Sequence, residues 1–114
     1  MEGALDDITV LDLGQVIGMP FCVHAAQYRD RNKLGITLDL KQPAAMTLFK
    51  ELVKKADVVC ENFSVGAMQR LGLGYEDCKR VNPRIVYASL TAFGQEGPYA
   101  KLRGYDVLSQ AISG

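Results

Sequence analysis

Three short segments of the sequence combine residue types that suit a flat, polar ligand. Asn62-Phe63 supplies an amide and an aromatic ring, and the segments Gly14-Gln15-Val16 and Thr91-Ala92-Phe93 supply several loop N–H groups. Each segment follows a stretch with the pattern of a strand, and in open parallel sheets ligands bind beyond the carboxyl ends of the strands. Such groups are typical of nucleotide sites. Because Asn after a strand also caps turns, the spacing alone leaves a purely structural role open.

The sequence offers little for metal or nucleophilic chemistry. A Ser-His or Cys-His pair would have to use His24, the one histidine, which lies in an apolar run that favours a packing role. Cys22, Cys60 and Cys78 form no C-x-x-C pair and are odd in number. This pattern is typical of reduced, packed thiols rather than of a disulfide framework or a zinc site. We therefore predict no metal and no redox cofactor.

The two common phosphate-binding fingerprints are absent from the sequence. No G-x-G-x-x-G follows the first predicted strand, and no G-x-x-x-x-G-K-[ST] occurs anywhere. A phosphate would therefore have to be held by dispersed cations, each of which can equally be a solvated surface charge. The candidate cations are Arg29, Arg31, Lys33, Arg70, Lys101 and Arg103.

Four segments have the pattern of short strands. The second alternates Ile36, Leu38 and Leu40 with polar residues, and the third has an apolar centre that indicates burial on both faces of a sheet. The predicted strands are residues 8–13, 36–41, 57–61 and 85–90.

Helical patterns separate most of these strands. The most regular begins at Pro43 and places one apolar stripe along an amphipathic helix that continues to Ala56. Strands that alternate with helices indicate a parallel sheet with right-handed crossovers. We therefore predict an α/β domain of the Rossmann-like, doubly wound kind. The other helical segments are one that Pro20 opens, one from Ser64 to Leu71, one from Tyr75 to Val81, and a last amphipathic stretch over 107–112.

Composition excludes several classes of protein. The 114 residues are 48% apolar and 23% charged, as in a single globular domain. Thirteen Lys and Arg balance thirteen Asp and Glu, so the sequence has no excess of positive charge with which to attract nucleic acid. The most apolar stretch, 16–26, is too short and too interrupted to span a membrane, and the acidic amino terminus does not resemble a secretory signal. We expect a cytoplasmic protein that binds neither nucleic acid nor membranes.

A series of short motifs in a fixed order gives a more specific indication. Together, and over nearly the whole chain, they resemble the amino-terminal part of the class III CoA-transferases. This is the formyl-CoA and carnitine-CoA transferase family, to which α-methylacyl-CoA racemase is related. The motifs are Val10-Leu11-Asp12-Leu13, Arg31-Asn32-Lys33, Ile36 to Lys41, Ala56 to Val59, Glu61-Asn62-Phe63, Arg70 to Tyr75, Asn82-Pro83-Arg84, Phe93 to Pro98 and Gly104-Tyr105-Asp106.

The resemblance implies a Rossmann-like large domain, a second small domain that these residues do not include, and an interlocked homodimer. It also implies coenzyme A, as substrate or as bound acyl-CoA, at the strand ends. Tyr105 falls where the transferases keep an active-site tyrosine. Racemases have a catalytic histidine before the following aspartate, so Gly104-Tyr105-Asp106 favours the transferase branch. The implied CoA contacts are Val16, Leu38, Asn62, Phe63, Arg70 and Arg103.

In that family an aspartate carboxylate carries out the transfer. It attacks the acyl-CoA thioester to give a mixed anhydride, and the released thiolate returns to make an aspartyl-CoA thioester. The acceptor carboxylic acid then repeats the sequence in reverse. The resemblance puts this nucleophile beyond Gly114, so Asp106 is expected to position its neighbours or cap the final helix.

The chain departs from the family in one internal region. A further helix-plus-strand unit and a basic CoA-binding residue normally separate the segment 21–28 from Arg31-Asn32-Lys33, yet here the two are almost contiguous. Gln15 also stands one place away from a glutamine that some relatives use near the thioester, so that role is not assigned to it. We therefore expect an internally shortened chain.

Three interpretations of function remain open at this stage. The first is a partial CoA-transferase large domain over residues 1–114 that holds part of the CoA site and is inactive alone. The second is a non-enzymatic α/β binding or assembly module that pairs with a fuller subunit through the strand edge left by the missing unit. The third is a racemase-type acyl-CoA enzyme, which would need a general base near Tyr105, far in sequence from His24.

Overall fold

The computed structural model describes residues 6–14, 33–104 and 106–113. Its sheet has the order β1-β2-β3, with both pairs of neighbouring strands parallel. Helices follow the strands along the chain, so the predicted α/β class with a parallel sheet is confirmed. The elements are β1 (Val10–Asp12), α1 (Pro43–Lys55), β2 (Val58–Glu61), α2 (Ala67–Arg70), α3 (Tyr75–Val81), β3 (Val86–Ser89) and α4 (Asp106–Ser113).

β2 is the central strand and the most buried one. Val58 is in register with Val10 of β1 on one side and with Val86 of β3 on the other. The next three residues of β2, 59–61, are buried, as the apolar centre of this segment predicted. The third of them, Glu61, brings a charged side chain into this interior.

α1 covers the sheet with the apolar stripe that the sequence predicts. Pro43 is the first residue of the helix. A backbone N–H at this position would have no acceptor within the helix, so proline, which lacks the N–H, is tolerated there. Phe49 and Val53, four residues apart, are its buried side chains. They belong to one continuous core with residues of β2, α2 and α3. The buried members of this core are Phe49, Val53, Ala56, Val59, Met68, Leu73, Cys78 and Ile85.

The predicted strand at residues 36–41 is wrong. Residues 33–39 have no regular secondary structure, and Asp39 forms a turn in which its Oδ1 accepts the N–H of Lys41 at 3.1 Å. Aspartate favours such turns because its carboxylate reaches the backbone two residues on. An alternating pattern becomes a strand only when it pairs with another strand, and in the described part of the chain β1 and β3 pair with β2 alone, so this segment has no strand partner.

The short helix after β2 begins later than predicted. Gly66, in the left-handed conformation with φ of 78°, precedes Ala67 at its start, so Ser64 is not the cap. The Ser64 backbone carbonyl still accepts the N–H of Ala67, at 2.9 Å. α3 has the predicted bounds, whereas the helical segment predicted from Pro20 lies outside the described residues.

Candidate functional site

The carboxyl ends of the three strands lie side by side at one edge of the sheet. This carboxyl edge consists of the residues 12–14, 61–63 and 89–93. Two backbone hydrogen bonds continue the ladder beyond the strands, from Leu13 N–H to the Cys60 carbonyl and from Leu90 N–H to the Glu61 carbonyl, both at 2.9 Å. The loop segments that the sequence predicted to share a ligand site are therefore neighbours here, as far as they are described.

An ion pair ties a distant segment to the end of β1. Lys33 Nζ contacts Asp12 Oδ2, while Oδ1 of the same carboxylate accepts the N–H of Gly14 at 2.8 Å. The Asp12 side chain is only 12% exposed, so the carboxylate relies on these partners more than on water. The pair brings the start of the 33–39 segment to the carboxyl edge. Leu38 lies half-buried further along that segment.

A second carboxylate joins the ends of β2 and β3. Glu61, 5% exposed, accepts the backbone N–H of Phe63 at 2.7 Å through Oε2 and the hydroxyl of Ser89 through Oε1. The Ser89 hydroxyl oxygen in turn accepts a hydrogen bond from Gln95 Nε2 at 2.7 Å. Three segments of the carboxyl edge region thus meet in one hydrogen-bonded chain.

The side chain of Arg70 lies against the turn that follows Asn62 and Phe63. Its Nη1 makes a long, 3.5 Å hydrogen bond to the Val65 carbonyl and lies 3.0 Å from where a Cβ on Gly66 would be. Arg70 is exposed, Asn62 is half-buried, and Phe63 is half-buried and packs on the core. A guanidinium has five N–H donors. The described contacts of Arg70 use one of them, so the group can still pair with an anion.

The start of α4 returns to the end of β3. A Cβ on Gly104 would overlap the Cβ of Ala92 and lie 3.0 Å from the ring of Phe93, so only glycine allows this approach. The Phe93 ring in turn packs against Tyr99 at a centroid distance of 6.4 Å. Arg103, which is exposed, precedes this contact and so lies next to the 91–93 loop.

The predicted CoA contacts fall into three groups. Asn62 and Phe63 follow β2, the Arg70 side chain contacts the Val65 carbonyl in the segment after them, and Arg103 precedes the Gly104 contact with the loop after β3. No described contact joins Leu38 to either of them, although its segment is attached to the end of β1. Val16 and Tyr105, the predicted auxiliary catalytic residue, lie outside the described residues, as do Gln15 and His24. The binding roles of all these residues stay predictions.

One hydroxyl at the carboxyl edge lacks a hydrogen-bond partner. Thr91 Oγ1 is buried, and no other described group is within bonding reach of it. Leaving a buried hydroxyl unpaired costs about 1–3 kcal/mol. A polar ligand group at this edge would remove that cost.

A cavity of about 160 Å³ lies at the opposite edge of the sheet. It opens where α1 ends and the chain enters β2, and none of the predicted CoA contacts lines it. Its lining residues are Lys54, Lys55, Ala56, Asp57, Asn82 and Arg84.

Two buried groups are held in their neutral forms. Burial raises the pKa of the Tyr87 phenol, and the nearby Glu61 carboxylate raises it further. Burial, assisted by Asp77, raises the pKa of the Cys78 thiol to about 11. Neither group is therefore a base or nucleophile at neutral pH. Within 6–14, 33–104 and 106–113, no group of three or more His, Cys, Asp or Glu residues could hold a metal ion.

The sequence did not predict the role of Glu61, Ser89 and Gln95. The available signal was an acidic residue at the end of an apolar strand, Val58-Val59-Cys60-Glu61, since a buried carboxylate requires hydrogen-bond donors. Which donors it would find depends on the register between β2 and β3, where Glu61 is the partner of Ser89.

Comparison with known proteins decides the family. A family model described as CoA-transferase family III matches residues 24–114, which include the whole carboxyl edge beyond β1. The chain belongs to CoA-transferase family III. The predicted resemblance is thereby confirmed.

Individual relatives agree with this family. The acetyl-CoA:oxalate CoA-transferase of Acetobacter aceti is 48% identical over 85 residues, which are 75% of this chain and 22% of the relative. Human α-methylacyl-CoA racemase is 35% identical over 130 residues, covering 97% of this chain and 34% of the relative. A crystal structure of a CaiB/BaiF family protein from Brucella suis has a TM-score of 0.71 at 43% identity, covering 74% of this chain and 22% of that one.

The chain corresponds to only part of the length of these relatives. It spans between 22% and 34% of the length of these relatives. The match to the human racemase extends over 130 residues, more than the 114 residues of this chain, so the racemase has additional residues inside the matched region. The predicted internal shortening agrees with this difference. In the described part of this family III chain, no helix is long and apolar enough to cross a membrane.

Proposed function

We propose that this chain forms the CoA-binding part of the large domain of a CoA-transferase that moves CoA between an acyl-CoA and a carboxylic acid. The main support is the arrangement at the carboxyl edge, where Glu61 joins the Asn62–Phe63 turn to Ser89 at the end of β3, and where Arg70 contacts the segment that follows this turn. Parallel sheets bind ligands at this edge. The matched relatives include an acetyl-CoA:oxalate CoA-transferase, whose name states the same class of reaction.

The chemistry of the edge suits the parts of CoA. Phe63 offers an aromatic side chain to the adenine, and the exposed guanidinium groups of Arg70 and Arg103 can pair with phosphates, for which the planar donor fork is well shaped. Thr91 supplies a buried hydroxyl that has no hydrogen-bond partner among the described residues. Coenzyme A binds in this proposal without a metal or a redox cofactor.

The nucleophilic aspartate of the proposed reaction is not among these residues. In the aspartyl-CoA mechanism its carboxylate would attack the thioester and later carry CoA as a thioester. Asp106 begins α4, and we propose for it a positioning role rather than that of the nucleophile. Tyr105, next to it, is proposed as an auxiliary group of the complete site. The complete enzyme is proposed to be a homodimer.

Calorimetric titration of the purified chain with CoA tests the binding proposal. We expect weak binding, with a Kd on the order of 0.1–1 mM, and a five- to tenfold weaker Kd, roughly 1 kcal/mol, for Arg70→Ala. Arg84→Ala is the matched control, because Arg84 is also an exposed arginine but lines the cavity at the opposite edge. Equal effects of the two substitutions, or no binding by the wild-type chain, would contradict the proposal.

An assay of CoA transfer tests the proposal about the nucleophile. The chain alone, incubated with an acyl-CoA and a carboxylic acid, is expected to give no new thioester. Mass spectrometry of the same mixture is expected to show no CoA adduct on Asp106. Measurable transfer or such an adduct would show that the reacting carboxylate lies within these 114 residues.

A non-enzymatic assembly module is the second candidate function. In the described part of the chain both outer strands pair only with β2, and each exposes an apolar residue, Val10 at 38% and Val86 at 59%. Such strands can add to the sheet of another polypeptide. Co-purification with a longer family member would favour this function, whereas a monomer by light scattering together with CoA binding would favour the first.

A further inference from the structure

Glu61 is a buried charge that the proposed reaction does not use. It ends the central strand and is in register with Ser89 of β3, so the two side chains emerge next to each other on one face of the sheet. Carboxylates are seldom so buried unless strong donors satisfy them. Here one oxygen accepts the Phe63 N–H at 2.7 Å and the other accepts the Ser89 hydroxyl.

The hydrogen bonds of Glu61 connect two parts of the carboxyl edge that the backbone does not join locally. The hydrogen bond from the Phe63 N–H to Glu61 Oε2 fixes the Phe63 amide and hence the turn 62–63. The Ser89 hydroxyl donates to Glu61 Oε1 and accepts a hydrogen bond from Gln95 at 2.7 Å. Gln95 belongs to the Gly- and Pro-containing loop 93–98, so this loop is linked to the carboxylate through Ser89. Hydrogen bonds to an ionised group are about twice as strong as neutral ones, so this connection is more than an incidental surface contact.

We propose that Glu61 is a positioning residue that joins the Asn62–Phe63 turn to the loop 93–98, so that the two sides of the CoA site keep a fixed separation. The identity of the ligand rests on the proposed function above. Glu61 does not itself touch CoA in this proposal, because its side chain is buried and each of its carboxylate oxygens accepts a protein donor. It acts through the Phe63 backbone and through Ser89.

Ser89 is the best place to interrupt this connection. Ser89→Ala removes the hydroxyl that links the carboxylate to Gln95 but leaves the hydrogen bond between Glu61 and the Phe63 N–H intact. Ser89→Thr retains a hydroxyl, suits a strand, and has room for its added methyl because Ser89 is exposed. Ser113→Ala, at the exposed end of α4, is the matched control for loss of a serine hydroxyl.

The first measurement is amide hydrogen exchange. For Ser89→Ala we expect exchange in the loop 93–98 to accelerate about fivefold, the effect of losing the neutral hydrogen bond from Gln95 to Ser89. The Phe63 amide should stay protected. Ser89→Thr and Ser113→Ala should exchange like the wild type. Unchanged loop exchange in Ser89→Ala would overturn the proposed connection, whatever the chain binds.

The second measurement is the Kd for CoA, which separates positioning from a merely structural role. Ser89→Ala is expected to bind CoA about fivefold more weakly at 25 °C, about 1 kcal/mol, and Ser89→Thr is expected to restore the wild-type Kd. A loosened loop with an unchanged Kd would overturn the positioning role. If the wild-type chain does not bind CoA, the proposed function fails, and the exchange rates of Ser89→Ala and Ser89→Thr still decide whether the connection exists.

Discussion

The side-chain amide of Asn82 donates a hydrogen bond of 2.8 Å to the backbone carbonyl of Ala56, at the end of α1. The same amide donates to the carbonyl of Val53 at 3.0 Å, and its oxygen accepts the N–H of Arg84 at 3.1 Å. Asn82 therefore caps a helix that ended 26 residues earlier in the chain. The Asn82-Pro83-Arg84 motif has a structural function, because a helix leaves its last carbonyls without partners.

We predict that Asn82→Ala lowers the free energy of unfolding by about 2 kcal/mol, the effect of losing two partly buried hydrogen bonds. Asn82→Asp should be as harmful, since a carboxylate cannot donate to the carbonyls of Val53 and Ala56. Gln42→Ala, an exposed amide at the other end of α1, should change stability by less than about 0.5 kcal/mol. Urea unfolding measures all three, and equal stability of Asn82→Ala and Gln42→Ala would contradict the capping role.

The ion pair between Lys33 and Asp12 should be far more important than the exposed pair between Lys54 and Glu51. We predict that Lys33→Met destabilises the fold by about 2 kcal/mol, because it leaves the poorly exposed Asp12 carboxylate short of a partner. Lys54→Met should cost less than about 0.5 kcal/mol, since both groups of that pair are more than half exposed.

Chemical unfolding at low salt compares these two lysine variants. The double variant Asp12→Asn, Lys33→Met should regain part of the lost stability, because it no longer buries an unpaired charge. Similar losses for Lys33→Met and Lys54→Met would show that the pair at the end of β1 is no stronger than a surface contact.

The approach of Gly104 to Ala92 should not tolerate a side chain. We predict that Gly104→Ala destabilises the fold by about 2 kcal/mol, since its Cβ would overlap that of Ala92. Gly35→Ala is the matched control, because a Cβ there meets nothing within 4 Å. Thermal unfolding measures both variants, and adding Ala92→Gly to Gly104→Ala should recover part of the loss. A Tm for Gly104→Ala equal to that of Gly35→Ala would refute this contact.

The raised pKa of Cys78 predicts a loss of stability in alkali. Burial raises this pKa from 9.0 to about 11 in the folded chain. A group whose pKa is higher when folded contributes stability that is complete below pH 9 and is lost as the pH rises towards 11. The full loss is about 3 kcal/mol, from about 1.4 kcal/mol for each pKa unit, and about 2 kcal/mol of it is reached by pH 11.

Urea unfolding at several pH values between 7 and 11 checks this prediction. Cys78→Ala is less stable at every pH because it leaves a cavity, but it should fall less steeply between pH 9 and 11. Tyr87, whose pKa is also raised in the folded chain, contributes to both proteins. Burial and Glu61 raise it more than the Cys78 charge does, so the difference between the two slopes belongs mainly to Cys78. Parallel slopes would mean that the Cys78 thiol does not resist ionisation.

Elements with a local signal were predicted closely from the sequence. α1 follows from the three- and four-residue spacing of its apolar side chains, and the end of α3 follows from the Asn-Pro after it. The segment 36–41 alternates as a strand would, but pairing depends on what lies beside it in space. This segment pairs with none of the described strands, and Asp39 forms a turn there instead.

The candidate site shows the same division between local and distant information. Asn62 and Phe63 could be singled out because they follow an apolar strand. The connection from Glu61 through Ser89 to Gln95 could not, because it requires the register of two strands that lie far apart in the sequence. Likewise, nothing near Lys33 in the sequence indicates Asp12 as its partner.

Among the described residues, the buried members of the central core cluster lie between Phe49 and Ile85, with Ala100 buried separately beyond them. This cluster is thus assembled from one uninterrupted stretch of chain, and β1 on one side and β3 and α4 on the other flank it. We expect refolding to begin in this stretch, with the flanking segments docking afterwards. Shortening the chain at either terminus should therefore change the unfolding rate more than the folding rate.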